Sequence, residues 1–303
     1  AVRHPLDFIL ALGDNFYPQG VRDVIGVEEG RPLQPGDSFT SFEFRYWAFR
    51  FISPYPALRV PWKVVLGNHD RCGIPEAQIY FTCSSENREG LWQMRGGDEE
   101  PPSRRYAYRR SVGTGREAQF IAFDSNACQF GIRFLEPDIC DRFSEDMEWL
   151  KGECAAEPAP LWRILFQHHP LYTQGRGHYS EAACLRTKTY QHYHTGQQLP
   201  GLDQERFLHE YHIDAVFAGH EHMFQYHQSQ GMHHFGCGAS IECKFYRGKH
   251  DEPCVDWYAD KVTGFVAAEI TTTATESQLT VQFVEASTLR VVRTVTVVKP
   301  LPL

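Results

Sequence analysis

Apolar residues gather along this chain in short, nearly unbroken runs that stop abruptly at a glycine or a polar residue. Phe8, Ile9, Leu10, Ala11 and Leu12 give way to Gly13, Asp14, Asn15, Phe16 and Tyr17. Val64, Val65 and Leu66 lead into Gly67, Asn68, His69 and Asp70, and Ile164, Leu165 and Phe166 into Gln167, His168, His169 and Pro170. A fourth run, Ala215 to Ala218, opens on Gly219, His220, Glu221 and His222. Unbroken runs of this length read as parallel strands buried on both faces, each delivering a polar loop at its carboxyl end. Further strands are expected at 106–110 and 120–123, and helices at 144–154 and 205–211. Residues 38–52 are aromatic-rich, with Phe42, Tyr46 and Phe49 at helical spacing. Residues 84–105 and 175–198 are polar and read as loops, the second one rich in histidine. From Gly264 the pattern changes to alternation, which predicts antiparallel strands at 265–270, 279–284 and 289–298. Strands on both sides of the middle imply two packed sheets with helices outside, an α/β class.

At 303 residues the chain can bury one large core. With no linker, charge block or repeat, a single domain over 1–303 is expected. A net charge of −8 with scattered lysines and arginines argues against a nucleic-acid surface. A small anionic substrate stays compatible with that charge, because bound metal ions set the local field. No apolar run reaches the ~18 residues of a membrane span. Nine cysteines without CxxC pairing read as disulfides of an oxidising compartment, with reduced buried thiols as the alternative. The odd count leaves one thiol over, and the absence of an Asn-x-Ser/Thr sequon weighs slightly against secretion. Ala1 is not a methionine and no signal-like segment precedes the first strand, so the chain is expected to be processed or incomplete at this end.

In open α/β sheets, sites form at the carboxyl ends of strands. Four such ends carrying Asp, Tyr, Asn and His converge on a metal site. His220 and His222 stand two apart, so extended backbone projects both rings to one side, whereas of His168 and His169 only one should point inward. His192 and His194 repeat the spacing within a polar stretch and read as solvated. Carboxylate, amide oxygen and imidazole suit hard or borderline divalent ions, and no cysteine joins them. Tyr17 reads either as a phenolate ligand, which calls for Fe(III), or as a packed tyrosine with a hydrogen-bonded hydroxyl.

Taken together, GDNFY, GNHD, a histidine after the third strand and GHEH resemble the calcineurin-like metallophosphoesterases, and Tyr17 three residues after Asp14 is the mark of the purple acid phosphatase branch. Val60, Pro61 and Trp62 before GNHD, Ala77, Gln78 and Ile79 after it, and Val284 to Ser287 are similar to the small, tartrate-resistant type. The resemblance implies a four-layer α-β-β-α sandwich of two mixed sheets with flanking helices. It implies that Asp14 bridges two metals, that Tyr17 and His222 bind Fe(III), and that Asn68, His168 and His220 hold a divalent partner, Fe(II), Zn or Mn. His69 would hydrogen-bond a phosphate oxygen. His178 would protonate the leaving group, one residue later than the family pattern, with His169 as fallback. Cys128 and Cys184 fall where the small enzymes have a disulfide.

The family also opens with a strand ending in Asp-x-Gly, whose aspartate binds the ferric ion. No such strand precedes Asp7, and a β-α-β unit needs about 30 residues, so the first β-α unit is absent from this chain. Truncation of a longer product is the preferred reading, and a divergent member with a damaged ferric site is the alternative. The expected activity is acid hydrolysis of phosphate monoesters by a metal-bound hydroxide. A phosphodiesterase or nucleotidase with the same ligands, and a pseudoenzyme, stay open. The expected partner is a small phosphorylated substrate, with a secreted or lysosomal location. Oligomeric state has no signature in the sequence.

Overall fold

The computed structural model describes residues 5–126, 139–174, 204–240 and 255–301. In chain order the elements are β1 (Ile9–Leu12), α1 (Phe42–Trp47), β2 (Trp62–Val65), α2 (Pro75–Phe81), β3 (Trp92–Gln93), β4 (Tyr106–Ser111), β5 (Glu117–Ala122), α3 (Ile139–Ala155), β6 (Trp162–Gln167), α4 (Gln204–Glu210), β7 (Ala215–Ala218), β8 (Phe224–Ser229), β9 (Met232–Cys237), β10 (Trp257–Ala259), β11 (Gly264–Thr272), β12 (Glu276–Glu285) and β13 (Val291–Pro300). All four apolar runs are strands, namely β1, β2, β6 and β7. β1, β2 and β3 form a parallel sheet in which Leu12 stands opposite Val65. Seven strands form a second sheet in the order β10-β8-β9-β7-β6-β5-β4. It is mixed, since β7 runs parallel to β9 while β8 runs antiparallel to both β9 and β10. β11, β12 and β13 form an antiparallel sheet. The fold is α/β, as expected, with parallel and antiparallel pairing both present and mixed within the seven-stranded sheet.

The chain divides into two compact units. The first comprises Ala1–Tyr108, Ile121–Asp146 and Phe166–His168. Its core is aromatic: Phe16 stacks on Trp92 at 5.5 Å, Phe44 on Phe81 at 3.7 Å, and Trp47 meets Trp92 edge-on at 5.3 Å. Phe16 belongs to the loop after β1, so its ring anchors that loop in the core. Ser41 starts α1, its hydroxyl accepting the Phe44 N–H at 3.2 Å. That bond satisfies an otherwise orphan amide of the first turn, so Ser41→Ala is expected to cost about 1 kcal/mol, read as a lower urea midpoint. Phe44, Trp47 and Ile52 face inward, while the expected stripe of Phe42, Tyr46 and Phe49 is helical but faces outward. A buried ion network joins Arg71 to Asp124, Arg104 to Asp124 and Asp146, and Arg105 to Asp146.

The second unit comprises Arg109–Phe120, Met147–Leu165 and His169–Leu303. Along β12 burial alternates, with Ser277, Leu279, Val281 and Phe283 turned inward. Phe283 packs edge-on against Phe224 at 5.3 Å, and the Trp162 indole donates to Ser277 Oγ at 2.8 Å. Lys299 Nζ donates to the Leu161 carbonyl at 2.7 Å and pairs with Asp214 at 2.6 Å.

The sequence pattern did not anticipate α2, β3, β10 or the β8–β9 hairpin. Among the described residues Cys72, Cys83, Cys154 and Cys237 are free thiols, so these four do not follow the disulfide reading. The Cys128–Cys184 pair lies outside the described residues.

Candidate metal centre

The loop after β1 turns through two left-handed residues, Gly13 at φ +85° and Asp14 at φ +53°. A Cβ at Gly13 would stand 2.6 Å from His168 Nδ1 and 2.7 Å from the Gly67 nitrogen, so only glycine fits. Left-handed backbone costs a non-glycine residue about 1–2 kcal/mol, and aspartate is among the few that visit it routinely. Such outliers gather where geometry serves a ligand. Here the turn brings the buried Asp14 carboxylate into a ring of partners. Oδ1 accepts the His69 N–H at 2.9 Å and stands 3.3 Å from His168 Nε2, while Oδ2 accepts the Tyr17 hydroxyl at 2.8 Å.

Asp70, fully buried, ties this loop to the one after β2. Its carboxylate accepts N–H bonds from Asn15 at 3.0 Å, Phe16 at 3.2 Å and Gly67 at 2.8 Å, and one from Gln78 Nε2 at 2.9 Å. Burial and the nearby Asp14 charge push its pKa up, against these donors. His69 Nδ1 donates to the Pro18 carbonyl at 2.6 Å, and its ring lies 4.5 Å from that of Tyr17.

His168 Nδ1 stands 2.7 Å from the Leu12 carbonyl, which can only accept, so Nδ1 carries a proton. Nε2 is thereby turned to Asn68 Oδ1 at 3.1 Å and to Asp14 Oδ1 at 3.3 Å. The lone pair of Nε2 thus faces two oxygens that carry lone pairs of their own, each at about the spacing of two ligands on a first-row ion with bonds near ~2.1 Å. Either a shared proton or a cation reconciles them. Burial works against a charged His168, but Asp14 raises its pKa nonetheless. Asp14 is likewise held well below the usual carboxylate range: burial opposes the charge, and His168, the His69 N–H and the Tyr17 hydroxyl outweigh it. A carboxylate, an amide oxygen and an imidazole whose other nitrogen is fixed by a carbonyl make a donor set that fits a divalent ion.

In the second unit, the segment after β7 carries His220 at φ +64°, another left-handed non-glycine residue. Two tight bonds shape it, Glu221 N–H to the Gly219 carbonyl at 2.8 Å and Met223 N–H to the Glu221 carbonyl at 2.7 Å. His222, on the same segment, is partly exposed. The buried rings of His169 and His220 lie 4.5 Å apart.

Of the residues expected in the site, Asp14, Tyr17, Asn68, His69 and His168 come together within the first unit. His220 and His222 share one loop of the second, with His169 against His220. His178 lies outside the described residues. Asp70 and the Leu12 carbonyl were not singled out from sequence. Asp70 stands inside GNHD, and that position was its only signal.

The family model for calcineurin-like phosphoesterases matches residues 2–224. Human tartrate-resistant acid phosphatase type 5 is 24% identical, covering 93% of this chain and 76% of that protein. The pig protein of the same name is 25% identical over 93% and 73%, and Arabidopsis thaliana purple acid phosphatase 7 is 24% identical over 76% and 58%. Among solved structures, GAP50, described as the anchor in the inner membrane complex of Plasmodium, shares the fold with a TM-score of 0.64 at 17% identity, covering 96% of this chain and 78% of that one. With the four strand-end motifs and the loops that hold them, these matches establish that the chain belongs to the calcineurin-like phosphoesterase family, as a purple acid phosphatase-like metallophosphoesterase.

Proposed function

We propose that this chain is an acid phosphatase that hydrolyses phosphate monoesters at a dinuclear Fe(III)–M(II) centre, with M being Fe, Zn or Mn. The observation that carries the reading is the meeting of Asp14, Asn68 and His168 through lone-pair atoms, with the Tyr17 hydroxyl on the second oxygen of the same carboxylate. Asp14, Asn68 and His168 would hold one ion, with Asp14 and Tyr17 offered to the other. His220 and His222 are the ligands that the likeness to purple acid phosphatases adds. Once bound, two such ions clamp a phosphoryl group and lower the pKa of water.

The chain's own groups do the rest. His69 Nδ1 is engaged by Pro18, which leaves Nε2 as its contact for a phosphate oxygen. His178 would protonate the leaving oxygen, a role that general acid catalysis gives most often to histidine. The Leu12 carbonyl holds His168 in the tautomer that presents Nε2. A secreted or lysosomal location goes with this reading.

The test is the metal content and visible spectrum of the purified chain, together with its rates on p-nitrophenyl phosphate and on bis(p-nitrophenyl) phosphate. Near two metals per chain, one of them iron, and a visible band that disappears in Tyr17→Phe are expected, with the monoester as the faster substrate. A colourless protein that prefers the diester would make it a phosphodiesterase. Metal well below stoichiometry with no turnover would make it a pseudoenzyme.

A further inference from the structure

Residues 42–55 of the first unit carry aromatic rings on both faces. The inner face, Phe44, Trp47 and Ile52, is buried. On the outer face Phe42 is 68%, Tyr46 48% and Phe49 69% exposed; beyond them Phe51, whose ring lies 5.8 Å from that of Trp62, and Tyr55 are also exposed, at 44% and 56%. Within this stripe Phe42 and Tyr46 stack at 6.0 Å, and the Arg50 guanidinium lies 5.7 Å over the Tyr46 ring. A helix on a water-facing surface ordinarily sets polar residues opposite its apolar stripe. A contiguous apolar patch marks a surface that something covers.

Charge narrows what covers it. From Phe44 to His69 the chain has no acidic residue, although its net charge is −8. Glu43 is buried, 3.8 Å from Arg22, and so adds no exposed carboxylate to the patch. Arg45 and Arg50 are exposed among the rings. A second copy docked face to face would set two pairs of guanidiniums together with no acid from either patch to offset them. Aromatic rings interleaved with arginine suit the boundary of an anionic bilayer, where rings lie at headgroup depth and guanidiniums meet phosphates.

We infer that residues 42–55 are a peripheral docking face for membranes rich in anionic phospholipid. The docking lies in the plane of the surface; among the described residues no helix is long and apolar enough to cross a membrane.

The experiment is co-sedimentation of the full 303-residue chain with phosphatidylcholine vesicles and with mixed phosphatidylcholine–phosphatidylserine vesicles, over a range of salt. Binding to the mixed vesicles is expected to exceed binding to phosphatidylcholine about tenfold or more, and to weaken as salt rises. Arg45→Gln/Arg50→Gln and Phe42→Ser/Phe49→Ser should each lower it about tenfold, with circular dichroism unchanged because both pairs are exposed. If the phenylalanine pair failed to fold, the arginine pair and the salt series would still decide the matter. Equal binding to both vesicle types, or binding that ignores both double variants, overturns the inference. So does a doubled mass in light scattering that the phenylalanine variant abolishes, which would give the face to a second copy.

Discussion

Asp14→Asn is expected to lower turnover of p-nitrophenyl phosphate by about 10³-fold or more, the scale of removing one preorganised electrostatic group from a reacting centre, and to strip bound metal at the same time. Within the first unit the carboxylate meets three of the other site candidates: His168 Nε2 at 3.3 Å and the His69 N–H on one oxygen, the Tyr17 hydroxyl on the other. Asparagine keeps the shape and tolerates the left-handed backbone at φ +53°. The change is therefore one of charge, with the loop left as it is. Its amide retains one oxygen for a donor but cannot bridge two cations. Loss of the Asp14 charge also removes the strongest of the influences that hold the His168 pKa up, leaving the Leu12 carbonyl and Asp70. Elemental analysis and steady-state kinetics on the same preparation check this. A variant with wild-type metal content and a rate within tenfold would end the view of Asp14 as a shared ligand.

Asp124→Ala is expected to destabilise the protein by about 3–5 kcal/mol at pH 7, as breaking a buried ion pair does. Asp124 is fully buried against the Arg71 guanidinium, with Arg104 at 3.4 Å. Its other oxygen accepts from Asn126 N at 3.1 Å and Asn126 Nδ2 at 2.8 Å. Removing the carboxylate leaves two guanidinium charges in a low-dielectric interior with their nearest shared counter-charge gone. Arg71 sits in the turn that follows Asn68 and His69, so the site loop should loosen together with the unit. The pH dependence has a definite sign. Burial opposes the Asp124 charge, yet Arg71, Arg104 and the Asn126 donors hold its pKa below the usual value. A carboxyl whose folded pKa lies below its unfolded pKa of about 3.9 contributes stability above that value and loses it as the pH falls through the folded pKa. Urea midpoints should therefore drop on acidification below about pH 4 in the parent and change less in the variant. Equal midpoints for the two proteins at pH 7 would remove the network from the account of stability.

How much of this was legible beforehand differs from element to element. β1, β2, β6 and β7 could be read from sequence because strands buried on both faces need no alternation, and three-to-five-residue apolar runs ended by glycine or, after β6, by Gln167 have few other readings. The ligand candidates could be read because each follows such a strand, and the motif set identifies the family. β8 and β9 escaped because Gln225, His227, His233 and His234 interrupt every apolar signal. Those side chains are interior or partly so only because the strands are paired within the seven-stranded sheet. Asp70 escaped for a similar reason: its donors come from residues 15, 16, 67 and 78, which meet only once β1 and β2 lie side by side with Leu12 opposite Val65.

The aromatic stretch at 42–55 draws the same line most sharply. Helical spacing of Phe42, Tyr46 and Phe49 is a local property and was visible in the sequence. Which of two aromatic faces turns inward is a packing decision, settled by Phe44 and Trp47 finding Phe81 and Trp92. By itself, then, the sequence determined the family, the strand-end ligands and the four buried strands, because these rest on residue type and short-range pattern. Tertiary structure alone decided the tautomer of His168, the scaffold role of Asp70 and the outward turn of the aromatic stripe, because each depends on partners brought from distant parts of the chain.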